Sequence, residues 1–139
     1  MTIWKKNFTI EQMNRMNENC AVSHLGIQFS AQGDDWLEAT MPVDPRTTQP
    51  MGFLHGGISV ALAETVASMA GFCCVEEKQA VVGLDINASH VRPVTSGNVS
   101  ARATPIRLGK SVQVWQIEIQ DAQHKLCCTS RLTLSVIAL

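Results

Sequence analysis

One glutamate stands alone in the least charged part of this 139-residue chain. Between Ile58 and Val75 the only ionisable side chains are Glu64 and the thiols of Cys73 and Cys74. A buried acid is rare unless paired, and an acid perturbed by burial in a cleft is a candidate for general-base or nucleophilic work. Ahead of it, His55-Gly56-Gly57 opens what reads as a helix. Free N–H groups at a helix start point outward, the macrodipole adds partial positive charge, and glycines let a ligand atom come close. That is the construction of an oxyanion hole. A turn that merely needs glycine is the competing reading.

Spacing constrains how these groups could cooperate. Glu64 projects from nearly the same helical face as Gly57 but lies about 10 Å further along the axis. Reacting atoms must approach to about 3–3.5 Å. One copy of the helix therefore cannot easily hold an oxygen at its start and attack the attached carbon with its own Glu64. Two antiparallel copies can, which places an active site across a twofold dimer interface. The bland alternative pairs Glu64 with an arginine such as Arg92 or Arg131.

Around this pair stand weaker candidates. Ser68 shares the Glu64 face one turn on, where a hydroxyl could position water or simply be a small packing residue. Gln49 could hydrogen-bond a carbonyl from the preceding loop, and His55 is either structural or part of the helix-start donor set. His90-Val-Arg92-Pro93 puts two potential cations at a strand end. A phosphate-bearing ligand could sit there, with Arg107 and Lys110 near a later turn, although such residues also serve as solvated surface. No G-x-G-x-x-G, Walker loop, H-E-x-x-H or serine elbow occurs.

The elements that must position these residues follow from periodicity. The central helix, about residues 57–74, is rich in alanine and apolar all round, which suits a protein core or a bilayer. Its central carboxylate, its Ser and Thr residues and the lack of a basic flank favour a soluble core. Thr9-Ile-Glu-Gln12 has capping-box form, so a short helix is expected over about 9–19, with Phe8 and Met13 as its staple. Leu25-Ile27-Phe29 and Leu37-Ala39-Met41-Val43 alternate as two strands of a hairpin around Gly33-Asp34-Asp35. After the helix come only strands, near 82–90, 99–107, 115–120 and 126–136, separated by Pro93, Ser96-Gly97, Leu108-Gly-Lys110 and Asp121-Ala-Gln-His124. One helix against a strongly curved antiparallel sheet, an α+β domain spanning 1–139, is the economical way to bury it.

Composition agrees. Apolar residues make up 45%, charged residues 17%, and the net charge is −1 with no basic block. No electrostatic footprint for nucleic acid or a membrane surface is present. The sparse charge hints at oligomerisation. The five cysteines include no C-x-x-C pair and read as packing residues in a reducing compartment. Lys5 and Lys6 precede no apolar stretch, so no secretory signal is expected and the cytoplasm is.

Gln49-Pro-x-Gly-x-Leu-His55-Gly56-Gly57, then Ala63-Glu64, then Asn87-x-x-His90-x-Arg92-Pro93, resembles the hotdog-fold acyl-CoA thioesterases. The resemblance covers essentially the whole chain. It is nearest to the small bacterial branch acting on aryl- and acyl-CoA esters, which includes 1,4-dihydroxy-2-naphthoyl-CoA thioesterases, enterobactin proofreading thioesterases and 4-hydroxybenzoyl-CoA thioesterases of the Arthrobacter type. It implies a hotdog fold, a long helix wrapped by an antiparallel sheet, in homodimers that pair into homotetramers. It further implies hydrolysis of acyl-CoA or aryl-CoA to free acid and CoA. Glu64 would act as general base or nucleophile and the Gly56 N–H would polarise the thioester carbonyl. His55, Gln49 and Ser68 would assist. His90 and Arg92, with Gly57, would meet the CoA portion. Val60, Phe53, Met69 and Phe72 are expected in the acyl pocket on apolarity alone. No metal, redox cofactor or catalytic cysteine is expected, since thiolate is a good leaving group and CoA arrives with the substrate. Two competing readings are a non-catalytic acyl-CoA sensor, which has no use for a carboxylate facing an oxyanion hole, and a dehydratase, which needs a His/Asp pair.

Overall fold

Alternation of apolar and polar residues after Asn98 builds three long strands that pair as consecutive hairpins. The computed structural model describes all residues, Met1–Leu139. These strands are β4 (Asn98–Leu108), β5 (Val112–Gln120) and β6 (Leu126–Ala138). Before them come α1 (Ile10–Met16), α2 (Ala21–His24), β1 (Gln28–Gln32), β2 (Leu37–Pro42), the central α3 (Gly56–Cys73) and β3 (Gln79–His90). The strands form one six-stranded antiparallel sheet in the order β1-β2-β4-β5-β6-β3. Leaving α3, the chain thus crosses to the far edge, and β3 pairs only with β6.

One face of the sheet is apolar and receives the helix. Leu37, Ala39 and Met41 of β2, Val99, Ala101 and Ala103 of β4, Trp115, Ile117 and Ile119 of β5, and Leu132 and Leu134 of β6 are all buried. Against them lie Leu62, Ala63, Val66, Ala67, Ala70, Gly71 and Cys73 of α3. Alanines on both sides bring helix and sheet backbones close, which removes apolar surface from water with little side-chain entropy lost. Although α3 is long and apolar enough to cross a membrane, this face of it is packed on the sheet. The opposite stripe, Ala61, Glu64, Thr65, Ser68, Met69 and Phe72, is only half-buried.

The C-terminal end of the helix is closed by backbone from afar. At the C-terminus the Cys73 carbonyl accepts from the backbone N–H groups of Lys5 (2.7 Å) and Lys6 (3.0 Å). The N-terminal segment thus brings two cations to the negative end of the macrodipole. Inside, the buried Gln113 donates from Nε2 to the Gly71 carbonyl (3.2 Å) and accepts from Trp115 Nε1 (2.9 Å) at Oε1. A methyl group at Gly71 would lie 2.5 Å from both Gln113 Oε1 and Leu134 Cδ1, so glycine is required there by close approach.

Several local expectations are revised. The capping box at Thr9 and Gln12 is present, but α1 stops at Met16 rather than Asn19. Asn17 donates from Nδ2 to the Met13 carbonyl (2.7 Å), satisfying the helix end, and Asn19 is left-handed with φ 59°. A separate helical turn, α2, follows, and β1 begins only at Gln28 because Leu25 caps α2 and Gly26 takes φ 76°. Phe8, expected as a staple for Met13, stacks on Phe72 with ring centroids 6.0 Å apart. In β3, strict alternation is broken by a bulge between Gly83 and Asp85.

Candidate active site

The first helical turn sorts its N–H groups unequally. His55 is the N-cap, and its Nδ1 accepts from the Gly57 N–H at 2.9 Å. Its carbonyl accepts from the N–H groups of Ile58 (3.1 Å) and Ser59 (2.9 Å). The Gly56 N–H alone is left without a partner. The missing side chain of Gly56 admits the His90 ring: a methyl there would lie 2.9 Å from His90 Nε2. A cleft at this helix start is lined by Gln49, Phe53, Gly56, Ser59, His90 and Arg92, among others.

Local structure explains how the loop holds its shape. Thr47 is wholly buried, and its hydroxyl donates to the Pro42 carbonyl at 2.8 Å. The Thr47 carbonyl accepts from the His55 N–H (2.8 Å), tying the loop to the helix cap. Within it, Gln49 Oε1 accepts from the Met51 N–H, and Gly52 takes φ 86°, a left-handed value that glycine adopts without strain. Arg92 is in no salt bridge. Asp121 nearby is held below the ordinary carboxylate range by the Lys125 N–H first, with the Gln123 N–H and the Arg92 guanidinium adding to it. Cys127, in the same cleft, has its thiol pushed up chiefly by burial.

Glu64 occupies a second cleft on the half-buried stripe of α3. Its lining is Asn17 and Val22 from the N-terminal helices, Ala61, Glu64, Thr65, Ser68, Met69 and Phe72 from α3, and Val81 from β3, enclosing about 490 Å³. That volume suits an acyl or small aryl group. Glu64 makes no salt bridge, so neither Arg92 nor Arg131 pairs with it. Its Oε2 lies against Gly83 on β3.

The residues singled out in the sequence therefore fall into two groups within one chain. Gln49, Phe53, Gly56, His90 and Arg92 share the first cleft, beside the His55 cap and Gly57. Glu64, Ser68, Met69 and Phe72 share the second. Phe53 is thus separated from the other apolar candidates, and Val60 lines neither cleft. Arg107 and Lys110 flank the β4–β5 turn, and Gln113, the second residue of β5, bonds Gly71 near the far end of α3. Within one chain they do not join His90 and Arg92. The periodic pattern missed Asn17, Val22, Val81 and Ser59, for none of which does a local motif exist.

Comparison with known proteins identifies the family. Residues 51–128 match the Thioesterase superfamily. The chain is 54% identical over 135 residues to the 1,4-dihydroxy-2-naphthoyl-CoA hydrolase of Escherichia coli, covering 97% of this chain and 99% of that one. It is 51% identical over 135 residues to the proofreading thioesterase EntH of Cronobacter turicensis, covering 97% and 98%. Among solved structures, a thioesterase of Haemophilus influenzae superposes with TM-score 0.98 at 66% identity, covering 99% of this chain and 96% of that one. A mutant thioesterase of Pseudomonas aeruginosa gives TM-score 0.97 at 43% identity, covering 99% and 100%. With a family match over more than half its length and relatives aligned end to end, the chain belongs to the thioesterase superfamily, as a thioester hydrolase of hotdog fold.

Proposed function

We propose that the protein hydrolyses acyl-CoA thioesters, aryl-CoA and medium-chain acyl-CoA among them, to free acid and CoA. The observation that carries this is Glu64, a half-buried carboxylate without an ion pair in a cleft lined mostly by apolar carbon. Such a group is free to deprotonate water or to attack an acyl carbon directly. Ser68, one turn on, would orient it or the water. The Gly56 N–H would polarise the thioester carbonyl, a donor of the kind worth about 3–4 kcal/mol in acyl transfer. His55 supports this by engaging the Gly57 N–H, and Gln49 would approach the carbonyl from the loop. His90 and Arg92, with Gly57, would meet the CoA portion, and Met69 and Phe72 the acyl group. Thiolate leaves readily, so the chemistry calls for no metal or redox cofactor, and CoA enters only as part of the substrate.

Glu64 lies about 12 Å along the axis from Gly56, so one helix cannot serve a single carbonyl with both. A homodimer is the minimal active unit in this proposal, with each Glu64 facing its partner's helix start. The outer edge of β3 supports it: the strand pairs only with β6 and exposes Val82 (46%) and Leu84 (61%). Antiparallel pairing of two such edges would lay the helices side by side in opposite directions. Dimers of dimers in the cytoplasm complete the proposal. The named activity of the Escherichia coli relative makes aryl-CoA esters, with menaquinone biosynthesis as their setting, the first substrates to test.

The test is free-thiol release from benzoyl-, 1,4-dihydroxy-2-naphthoyl- and medium-chain acyl-CoA by wild type and Glu64→Gln. Wild type is expected to turn over, and the folded, dimeric variant to lose about a hundredfold or more. Tight binding of these thioesters by wild type without thiol release would instead make the protein an acyl-CoA sensor.

A further inference from the structure

Glu64 has a neighbour that no chemical motif singles out. A methyl group placed on Gly83 would lie 2.5 Å from Glu64 Oε2 and 3.7 Å from its Cδ, with no other heavy atom within 4 Å. Glycine is disfavoured inside a strand, where it loses entropy and packs nothing. Nor does the backbone require it here, for Gly83 is not among the glycines of positive φ. Within the single chain its side is exposed, so burial in the core does not require it either. Within the chain, the one thing its missing side chain accommodates is the carboxylate.

We propose that Gly83 is a positioning residue for Glu64, resting on the catalytic reading of that carboxylate given above. No ion pair holds Glu64 in place. Its position is set instead by shape, between its own helix and the bare backbone of β3 at the Gly83/Asp85 bulge. Bulges bend and re-aim a strand beside a site. Val81, two residues earlier on the same strand, lines the same cleft, so β3 forms the wall against which the carboxylate rests. Adding a methyl at 83 leaves the fold one cheap escape: rotation of the flexible Glu64 side chain. The protein folds, and the carboxylate moves. A misplacement of about 1 Å can cost about a hundredfold in rate.

The experiment compares wild type, Gly83→Ala, Glu64→Asp, the double variant and Glu64→Gln by thiol release, melting temperature and oligomeric state. Gly83→Ala is expected to fold and assemble as wild type, and to lose about ten- to a hundredfold in kcat with KM little changed. Its crystal structure is expected to show the Glu64 carboxylate displaced. In Glu64→Asp the carboxylate has already withdrawn from the strand, so adding Gly83→Ala is expected to cost less than about twofold. Full activity of Gly83→Ala overturns the proposal, as does a penalty that multiplies unchanged into the Glu64→Asp background. Failure of Gly83→Ala to fold or to assemble also overturns it, since the methyl would then meet more than a carboxylate. If Glu64→Gln keeps full activity, the catalytic reading itself falls, whatever Gly83 does.

Discussion

Lys6 Nζ lies 3.5 Å above the centroid of the Phe72 ring and donates to the Gln79 carbonyl at 2.6 Å. The N-terminal segment is thereby fastened to the last turn of α3 and to the start of β3, at the end of the cleft that Phe72 lines. Lys6→Ala removes the cation–π contact and the hydrogen bond together, at a cost of about 1–2 kcal/mol. It frees Phe72 on one side. Chemical denaturation is expected to show the lower stability, and steady-state kinetics a raised KM for aryl thioesters with kcat nearly unchanged.

Burial pushes the Cys73 thiol up to about 11 and the Cys74 thiol up to about 12, from an ordinary 9.0. In the unfolded chain both ionise near 9.0, so the folded state binds more protons above that pH. Their contribution to stability is complete below pH 9.0 and is lost as pH rises toward about 11 and then about 12. Urea midpoints are expected to fall between pH 8.5 and 10.5 (about two units around the ordinary thiol value), and Cys74→Ala is expected to flatten the slope. At neutral pH a thiol reagent should titrate only Cys20, the one exposed cysteine, until denaturant reveals the rest.

Gln113 joins Gly71 to Trp115 in the core through two hydrogen bonds. Gln113→Leu keeps the volume but leaves the buried indole N–H of Trp115 unpartnered, while the Gly71 carbonyl keeps the Cys74 N–H at 3.1 Å. The expected destabilisation is about 1–3 kcal/mol. Because Gly71 lies near the end of α3 away from Gly56, thiol-release kinetics on the still-folded variant should change little.

Gly56 is the first residue of α3, a position where proline suits a helix because its N–H is unpaired anyway. His55 already has the extended backbone, φ −67° and ψ 129°, that a residue before proline needs. Gly56→Pro therefore deletes the one unpartnered N–H with the helix kept, and its Cβ, 2.9 Å from Nε2 of the exposed His90, turns that ring aside. Thermal stability is expected to hold, while kcat falls by about 10²–10³.

Much of this was legible locally, because the chemistry sits in short runs. The His55-Gly56-Gly57 start, the capping box at Thr9, the helix length and the isolation of Glu64 depend on neighbours in sequence. The acyl cleft does not. Asn17, Val22 and Val81 meet Met69 only because α1, α2 and β3 pack around one stripe of α3, and no local pattern encodes that. For the same reason Phe53, apolar and close in sequence to the helix, ends on the other side of the cap. Gln113 reads as a surface residue, yet it continues the inward row of Trp115, Ile117 and Ile119, where its amide is needed by the helix backbone. Gly83 in a strand reads as a weak point, and only the position of Glu64 gives it a purpose.

The separation of Gly56 and Glu64 along one helix has a genetic consequence. In the two-chain site proposed here, a lesion at either position damages a different half of each site. A chain carrying Glu64→Gln and a chain carrying Gly56→Pro are each defective alone. Mixed in one cell, they form heterodimers in which one site bears both lesions and the other bears none. Random pairing makes half the dimers mixed, so about a quarter of all sites are restored. Two dead alleles then complement each other, whereas a site contained within one chain would leave the pair as inactive as its parts.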